Sequence, residues 1–371
     1  MTDQLHLVGA PSWEASRVDL LAASSRTEDW IFELVHARTN RFIRRIAGVR
    51  GFEAEFNLHA TIRSGGSCVW QGDEPVDWAS HRLRAHYRIQ SRGQAMQWTV
   101  GTFIAQTPKR TLTDQSRGAL ELQLFDAMAR LEWQTSTAGQ WVAHKGANII
   151  ATARALLDSQ GVPHAIEDSP LVFSAPMVWK TGTTLLRMVN DMLAAANFFS
   201  IWADPQGVLR SGPHRPPASR GVAFRFRADG TGLGYLPEIV HEQDTASVPS
   251  QLTLVATSDD PDVVPATATA RQASGSPFSF ETRGYHVSVT EDAPGADPAV
   301  LPERAARRLE ERSRPGSTFQ FQHLIAPLAP NDVVGLARAR HGIDALAVME
   351  KTTFGQDSEG LATTTVREVA A

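Results

Sequence analysis

Residues 169–212, SPLVFSAPMVWKTGTTLLRMVNDMLAAANFFSIWADPQGVLRSG, constrain the fold more than any other stretch of the chain. A β-rich run over 172–179 breaks at Lys180-Thr181-Gly182. Leu185, Leu186, Val189, Met192, Leu193 and Ala196 then recur three and four apart, which places one apolar stripe on a helix with Thr183 or Thr181 as its N-cap. Residues 198–203, the turn Asp204-Pro205-Gln206-Gly207 and residues 208–211 follow as a β-hairpin, with Pro205 presetting the turn. The stripe is buried if the helix lies on the hairpin.

The flanks of this stretch are strand-rich. Residues 30–36 and 41–46 bracket a short polar tip in a hairpin pattern. Phe52, Ala54, Phe56 and Leu58 alternate with Glu53, Glu55 and Asn57, the period of a half-buried strand. Further β-like runs over 83–89, 95–105 and 120–125 suggest a barrel or a sandwich. A helical pattern over 148–157 stops at Gly161 ahead of Pro163. Residues 212–217, GPHRPP, read as a linker. Beyond it, strands are expected over 222–226, 251–256, 285–290 and 318–325, with one charged helix over 302–312 that has Pro302 in its first turn. The expected class is therefore mainly β with α+β. Its domains are 1–126, with strands after 216 as candidates to complete it, then a smaller α/β domain over 127–215, then 216–371.

Composition limits the function classes. With 42% hydrophobic and 20% charged residues, the chain is an ordinary globular one, and its net charge of -4 supplies no basic excess for gripping nucleic acid. Cys68, the single cysteine, forms neither an internal disulfide nor a thiolate zinc site alone. No apolar run of about 18 residues and no signal-peptide pattern occurs, so the protein is expected to be made in the cytosol without a membrane anchor.

The search for chemistry returns turns and surface. Gly230-Thr231-Gly232-Leu233-Gly234 lacks the Gly-Lys-Ser/Thr of a phosphate loop, and Pro237 interrupts any helix after it. His241-Glu242 starts like a zinc-protease helix, but Thr245 stands where the second ligand belongs. The carboxylates Asp259, Asp260 and Asp262 lack the Gly and distal Glu of a calcium loop. No Gly-x-Ser-x-Gly elbow is present. These readings lead to a non-enzyme with no cofactor and no metal. The arginine-bearing runs 41–50 and 82–92, with Arg41, Arg44, Arg45, Arg82, Arg84 and Arg88, read as polar subunit or lumen surfaces, with phosphate binding as the alternative. Nine Trp could serve a carbohydrate-binding module, but Trp98, Trp179 and Trp202 sit in apolar alternating runs that suit a core.

The order of the first hairpin, GTFIAQTP over 101–108, LELQLFD over 120–126 and the 169–212 stretch resembles phage tail hub proteins, the minor tail proteins of siphophages. Met177, Val178, Trp179, Gly182, Asn190, Asp191, Asn197, Trp202, Ala203, Asp204, Gly207 and Arg210 carry the resemblance in the middle stretch. Ser276-Pro277 with Arg283-Gly284, and PLAPNDVV over 327–334 with Asp332, carry it later. The resemblance implies two β-barrel-like tube domains flanking the α/β domain, and a homotrimeric ring at the tail tip. Its implied partners are the tail tube or distal tail protein, the tape-measure protein and a tip or spike protein, with genomic DNA passing only through the lumen. The alternatives are a receptor- or carbohydrate-binding tail module, or a tail-associated cell-wall hydrolase. Ala371 follows soon after the second β region, so no hydrolase domain is expected.

Overall fold

The computed structural model describes residues 20–23, 25–72, 74–113, 116–136, 139–227, 233–256, 266–293, 301–313 and 316–369. The chain divides into two compact units, one reaching Ile239 and including Gln320–Val369, the other Val240–Phe319. Gly230–Gly232 and Asp259–Asp262 of the discarded motifs lie outside the described residues.

The first third forms β1 (Thr27–His36), β2 (Phe42–Ile46), β3 (Val49–Asn57), β4 (Ser64–Trp70), β5 (His81–Ser91), β6 (Gln94–Thr113) and β7 (Ser116–Phe125). The first hairpin pairs in register, Phe32 opposite Ile46 and Leu34 opposite Arg44, and β1 also pairs along its whole length with β5. The alternation of β3 resolves as expected, with Phe52, Ala54 and Phe56 buried. Aromatic side chains fill this core: Trp30 lies 4.9 Å from Tyr87 and 5.0 Å from Phe52, and Phe32 meets Phe52 edge-on at 5.3 Å.

The middle adds α1 (Ala129–Glu132), β8 (Trp141–Ala143), α2 (Ile149–Ser159), β9 (His164–Ile166), β10 (Met177–Trp179), α3 (Leu185–Ala195), β11 (Trp202–Ala203) and β12 (Leu209–Ser211). The β-rich run over 172–179 contributes only the short β10. One hydrophobic cluster runs from Ala127 to Leu209 and contains the complete α3 stripe, to which Met188 adds. The helix starts at Thr184, whose hydroxyl accepts from Arg187 N at 3.2 Å, and neither Thr183 nor Thr181 caps it. Those two hydroxyls are already engaged, Thr183 donating to Lys180 O and Thr181 to Gly139 O. Asn148 caps α2 by accepting from Ala151 N at 2.8 Å, and Gly161 leaves the helix at φ +57°.

The remainder supplies β13 (Val222–Arg227), β14 (Tyr235–Gln243), β15 (Gln251–Ala256), β16 (Ala266–Arg271), α4 (Phe280–Arg283), β17 (Ser288–Asp292), α5 (Leu301–Arg312), β18 (Ser317–Leu324), β19 (Val333–Arg338), β20 (Ile343–Gly355) and β21 (Leu361–Glu368). In the second unit β15 pairs antiparallel with β16 and parallel with β17. Leu301, Ala305 and Leu309, four apart on α5, bury against Leu252 and Leu254.

The two expected barrels are not closed. Among the described residues the largest sheet follows the open path β14-β18-β21-β20-β3-β4-β7-β6-β5-β1-β2, with β19 branching from β20 and β13 pairing with β19. The reason lies at β3, whose edge away from β4 pairs antiparallel with β20, Lys351 opposite Asn57 and Gly355 opposite Glu53. Strands of the first third and β18, β20 and β21 of the last third thereby share one sheet. Outward from this seam the arms run β3-β4-β7-β6 and β20-β21-β18-β14. Over these four strands each begins with a hairpin of consecutive strands, followed by a pair whose later strand lies nearer the seam, so they share one spatial order in permuted chain order; past β6 the first arm continues through β5-β1-β2. Cross-strand register gives these strands a common polar face: Asn57, Lys351 and Thr365 align, as do Glu55, Thr353 and Thr363, and Ser67 with Gln123. Phe52, Phe56, Leu122, Leu124, Phe354 and Val366 are buried on these strands.

Candidate functional site

The residues singled out in the middle stretch converge on two places. In the first, Trp179 Nε1 donates to Asp191 Oδ2 at 2.9 Å while Arg187 Nε donates to Asp191 Oδ1 at 3.0 Å, so β10 is tied to α3. Asn190 Oδ1 accepts from Ile201 N at 2.9 Å, fixing where the hairpin starts, and Gly182 takes φ +88° in the turn before the helix. Trp179 and Trp202 are buried, and Trp98 packs edge-on against Tyr87 at 5.1 Å, which leaves none of the three as an open sugar platform.

The second place is the 204–207 turn. The Asp204 side chain is 1% exposed, its Oδ1 accepting from Val208 N at 2.9 Å and its Oδ2 from Arg210 Nε at 2.6 Å. The carboxylate therefore organises the turn rather than facing a ligand. The turn's outer side is held by the first sheet. Thr102 Oγ1 donates to Pro205 O at 2.7 Å, and Asn40 Nδ2 donates to Gln206 O at 3.0 Å. Arg84 links these groups, its Nε donating to Thr102 Oγ1 at 2.9 Å and its Nη2 to Asn40 O and Gln206 O. Burial lowers the Arg84 pKa against the opposing charges of Glu33 and Asp204. Gly207 sits at φ +79°, and a Cβ there would lie 3.0 Å from Asn40 Nδ2 and 3.3 Å from Thr102 Cβ. Sequence reading found Arg84, Asp204 and Gly207 separately; Asn40 and Thr102 were missed, although Asn at a hairpin tip, here at φ +52°, is a signal in itself.

Asp332 lies on another loop of the same unit. Its Oδ2 accepts from Ala329 N at 2.9 Å, and Ala329 packs with Trp202. Arg220 Nη1 donates to Asn331 O at 2.7 Å. Burial pushes Asp332 up to about 7, opposed by the Ala329 N–H and the Arg220 charge, and it pushes Asp126, bonded by Ser64 N and Met128 N, up to about 7 as well. Arg283 and Gly284 belong to the second unit: Arg283 Nη1 donates to Val248 O at 2.8 Å with its guanidinium 4.8 Å from the Phe278 ring centre, and Gly284 ends α4 at φ +75°.

The arginines also separate. Arg82 is buried with its Nε on Ala37 O at 2.8 Å, so it cannot line an exposed surface or a lumen, contrary to expectation; β5 is a central strand covered on both faces. Arg84 is likewise occupied within the chain. Arg88 is half-buried opposite Asp29 and Gln97. Arg41, just before β2, and Arg45 on β2 are exposed at the end of the sheet path, where Phe42 and Ile43 are exposed too and Arg44 pairs with Glu74. Among the described residues no three His, Cys, Asp or Glu side chains group as a metal site.

The chain is similar over nearly its full length to solved structures of tail proteins. A tail protein from Neisseria meningitidis MC58 matches with a TM-score of 0.61 at 14% identity, covering 91% of this chain and 96% of that one. The chain has the fold of phage tail proteins. The 43 kDa tail protein of prophage MuSo2 from Shewanella oneidensis matches at 0.59 and 13% identity over 92% and 98%, and the prophage tail protein gp18 from Listeria monocytogenes EGD-e at 0.51 and 11% over 91% and 94%. No protein family matches the chain, and no curated protein does.

Proposed function

We propose that this chain is a structural virion protein, the tail-tip or baseplate hub that closes and extends the tail tube and passes DNA toward the tip, as in the minor tail proteins of siphophages. The full-length likeness to tail proteins carries this reading, and the two permuted four-strand arms support it. Three chains would present six such arms, enough to meet a sixfold tube on one side and a threefold tip on the other. The polar face holding Glu53, Glu55, Gln123, Lys351 and Thr363 suits a lumen. It mixes amides, hydroxyls and both charge signs, so it gives a phosphate backbone little to hold. The β2 edge with Arg44 and Arg45, and Arg41 just before it, is then a subunit surface. In this reading the units expected at 1–126 and 216–371 act as tube modules and 127–215 as an accessory module. Partners would be a tail tube or distal tail protein, the tape-measure protein and a spike, and the work is assembly rather than catalysis. An electron-microscopy reconstruction of the tail should find three copies encircling the tube axis, with the polar face inward. Absence of a threefold ring refutes the hub role.

A further inference from the structure

Three arginines gather where the tip of the first hairpin, α1 and the end of α2 come together, two of them at Gly161 and the third on the backbone of the tip. Arg82 Nε donates to Ala37 O at 2.8 Å, which fixes a buried guanidinium beneath the tip. Arg38, the next residue along, is exposed and brings its Nη2 to 4.0 Å from the point where a Cβ on Gly161 would lie. Arg130 Nη2 donates to Gln160 O at 3.1 Å and also reaches Gly161 O at 3.5 Å. Arg38 and Arg130 thus end on the same glycine, and Arg82 holds the neighbour of Arg38.

The helix end accounts for one of the charges, since the last carbonyls of α2 and its dipole favour a cation such as Arg130. Nothing comparable neutralises the other two. Among the described residues no Asp or Glu side chain bonds to Arg38, Arg82 or Arg130, and the charges bearing on Arg82 and Arg130 are those of arginines. Burial with the nearby Arg130 brings Arg82 down to about 10, and burial with Arg38 lowers Arg130. Arg84, two residues along β5, differs in having Glu33 and Asp204 as counter-charges. Like charges gathered in a partly desolvated pocket repel one another unless an anion joins them.

We propose that Arg38 and Arg130 form a binding site for a phosphate-class oxyanion beside Gly161, with the buried Arg82 holding Ala37 in place beneath them. Guanidinium forks match the oxygens of such an anion bidentately, which an ammonium group does not. The source is either free phosphate or a backbone phosphate of DNA, and the site stands whether or not the chain is a hub. The test is titration of the full chain with inorganic phosphate, followed by calorimetry and by phosphorus NMR line width, at constant ionic strength held with chloride. Saturable binding at millimolar concentration or below is expected. Arg38→Gln, at an exposed position, should weaken it about tenfold with the melting temperature unchanged in chloride, and Arg38→Lys should retain part of it. A short DNA duplex that displaces phosphate identifies the backbone as the source, whereas failure to displace it identifies the free ion. No saturable binding, or equal binding by the parent chain and Arg38→Gln, overturns the site.

Discussion

Asp126 and Asp332 are buried carboxyls whose environments contradict their chemistry in water. A carboxyl titrates near pH 4 in an unfolded chain, whereas burial holds both of these near 7. The folded state therefore binds the extra protons. The stability they contribute is fully present below about pH 4 and is lost as pH rises through about 7. His323 acts in the opposite sense: burial holds it down to about 4, so its contribution falls as pH drops below its ordinary value. Its Nε2 accepts from Thr364 Oγ1 at 2.8 Å and its Nδ1 donates to Leu324 O at 2.8 Å, both bonds suiting the neutral ring. From pH 6.5 to 8 the two aspartates outweigh the opposite contributions of His86 and His323. Stability there should decline by about 1 kcal/mol for each carboxyl. Denaturant melts should show this decline in the parent chain and a flatter profile in the Asp126→Asn, Asp332→Asn double variant; parallel profiles would place the titration elsewhere.

At the scale of elements, α3 and the turn after it are separate fasteners. Leu193 is fully buried among Leu186, Val189 and Ile201, so Leu193→Asp places an unpaired charge in that core and should cost several kcal/mol. An unchanged melting temperature would show the stripe to be misassigned. Thr102→Val removes the hydroxyl that bonds Pro205 O and accepts from Arg84, while keeping nearly the same shape. It should destabilise by about 1–3 kcal/mol, because buried partners lose their bonds, and a thermal melt within about 0.5 kcal/mol of the parent would make the 204–207 junction incidental.

For the whole molecule, the hub reading makes ring closure a physical requirement, since a head-to-tail contact that fails to close grows into filaments. An obligate contact of this kind should exceed about 2,000 Å² per interface. Native mass spectrometry across a concentration series should find a trimer in equilibrium with the monomer, and filaments growing with concentration would exclude cyclic closure. The same preparation should leave peptidoglycan intact in a zymogram; a clearing band abolished by one substitution would make the chain an enzyme.

Local pattern determined the hairpin of β1 and β2, the alternation of β3, the stripes of α2 and α3 and the turn at Asp204, because each is written in residues within a few positions of one another. The N-cap of α3 was less legible, since Thr181, Thr183 and Thr184 all qualify by type and only the turn around them decides which hydroxyl stays available. The β14, β20 and β21 strands escaped reading, with Pro237 in one and threonine runs in another weakening the pattern; β14 tolerates its proline at the end of the sheet path. Partnerships over long separations belonged to tertiary structure alone. Nothing near Asn57 announces that Lys351 lies opposite it, and nothing near Arg84 announces that it holds a turn 122 residues away. A strand edge and a guanidinium accept many partners, so their choice is made by whatever the rest of the fold brings within hydrogen-bonding distance. That choice turned two expected barrels into one open sheet and two expected surface arginines into interior fasteners.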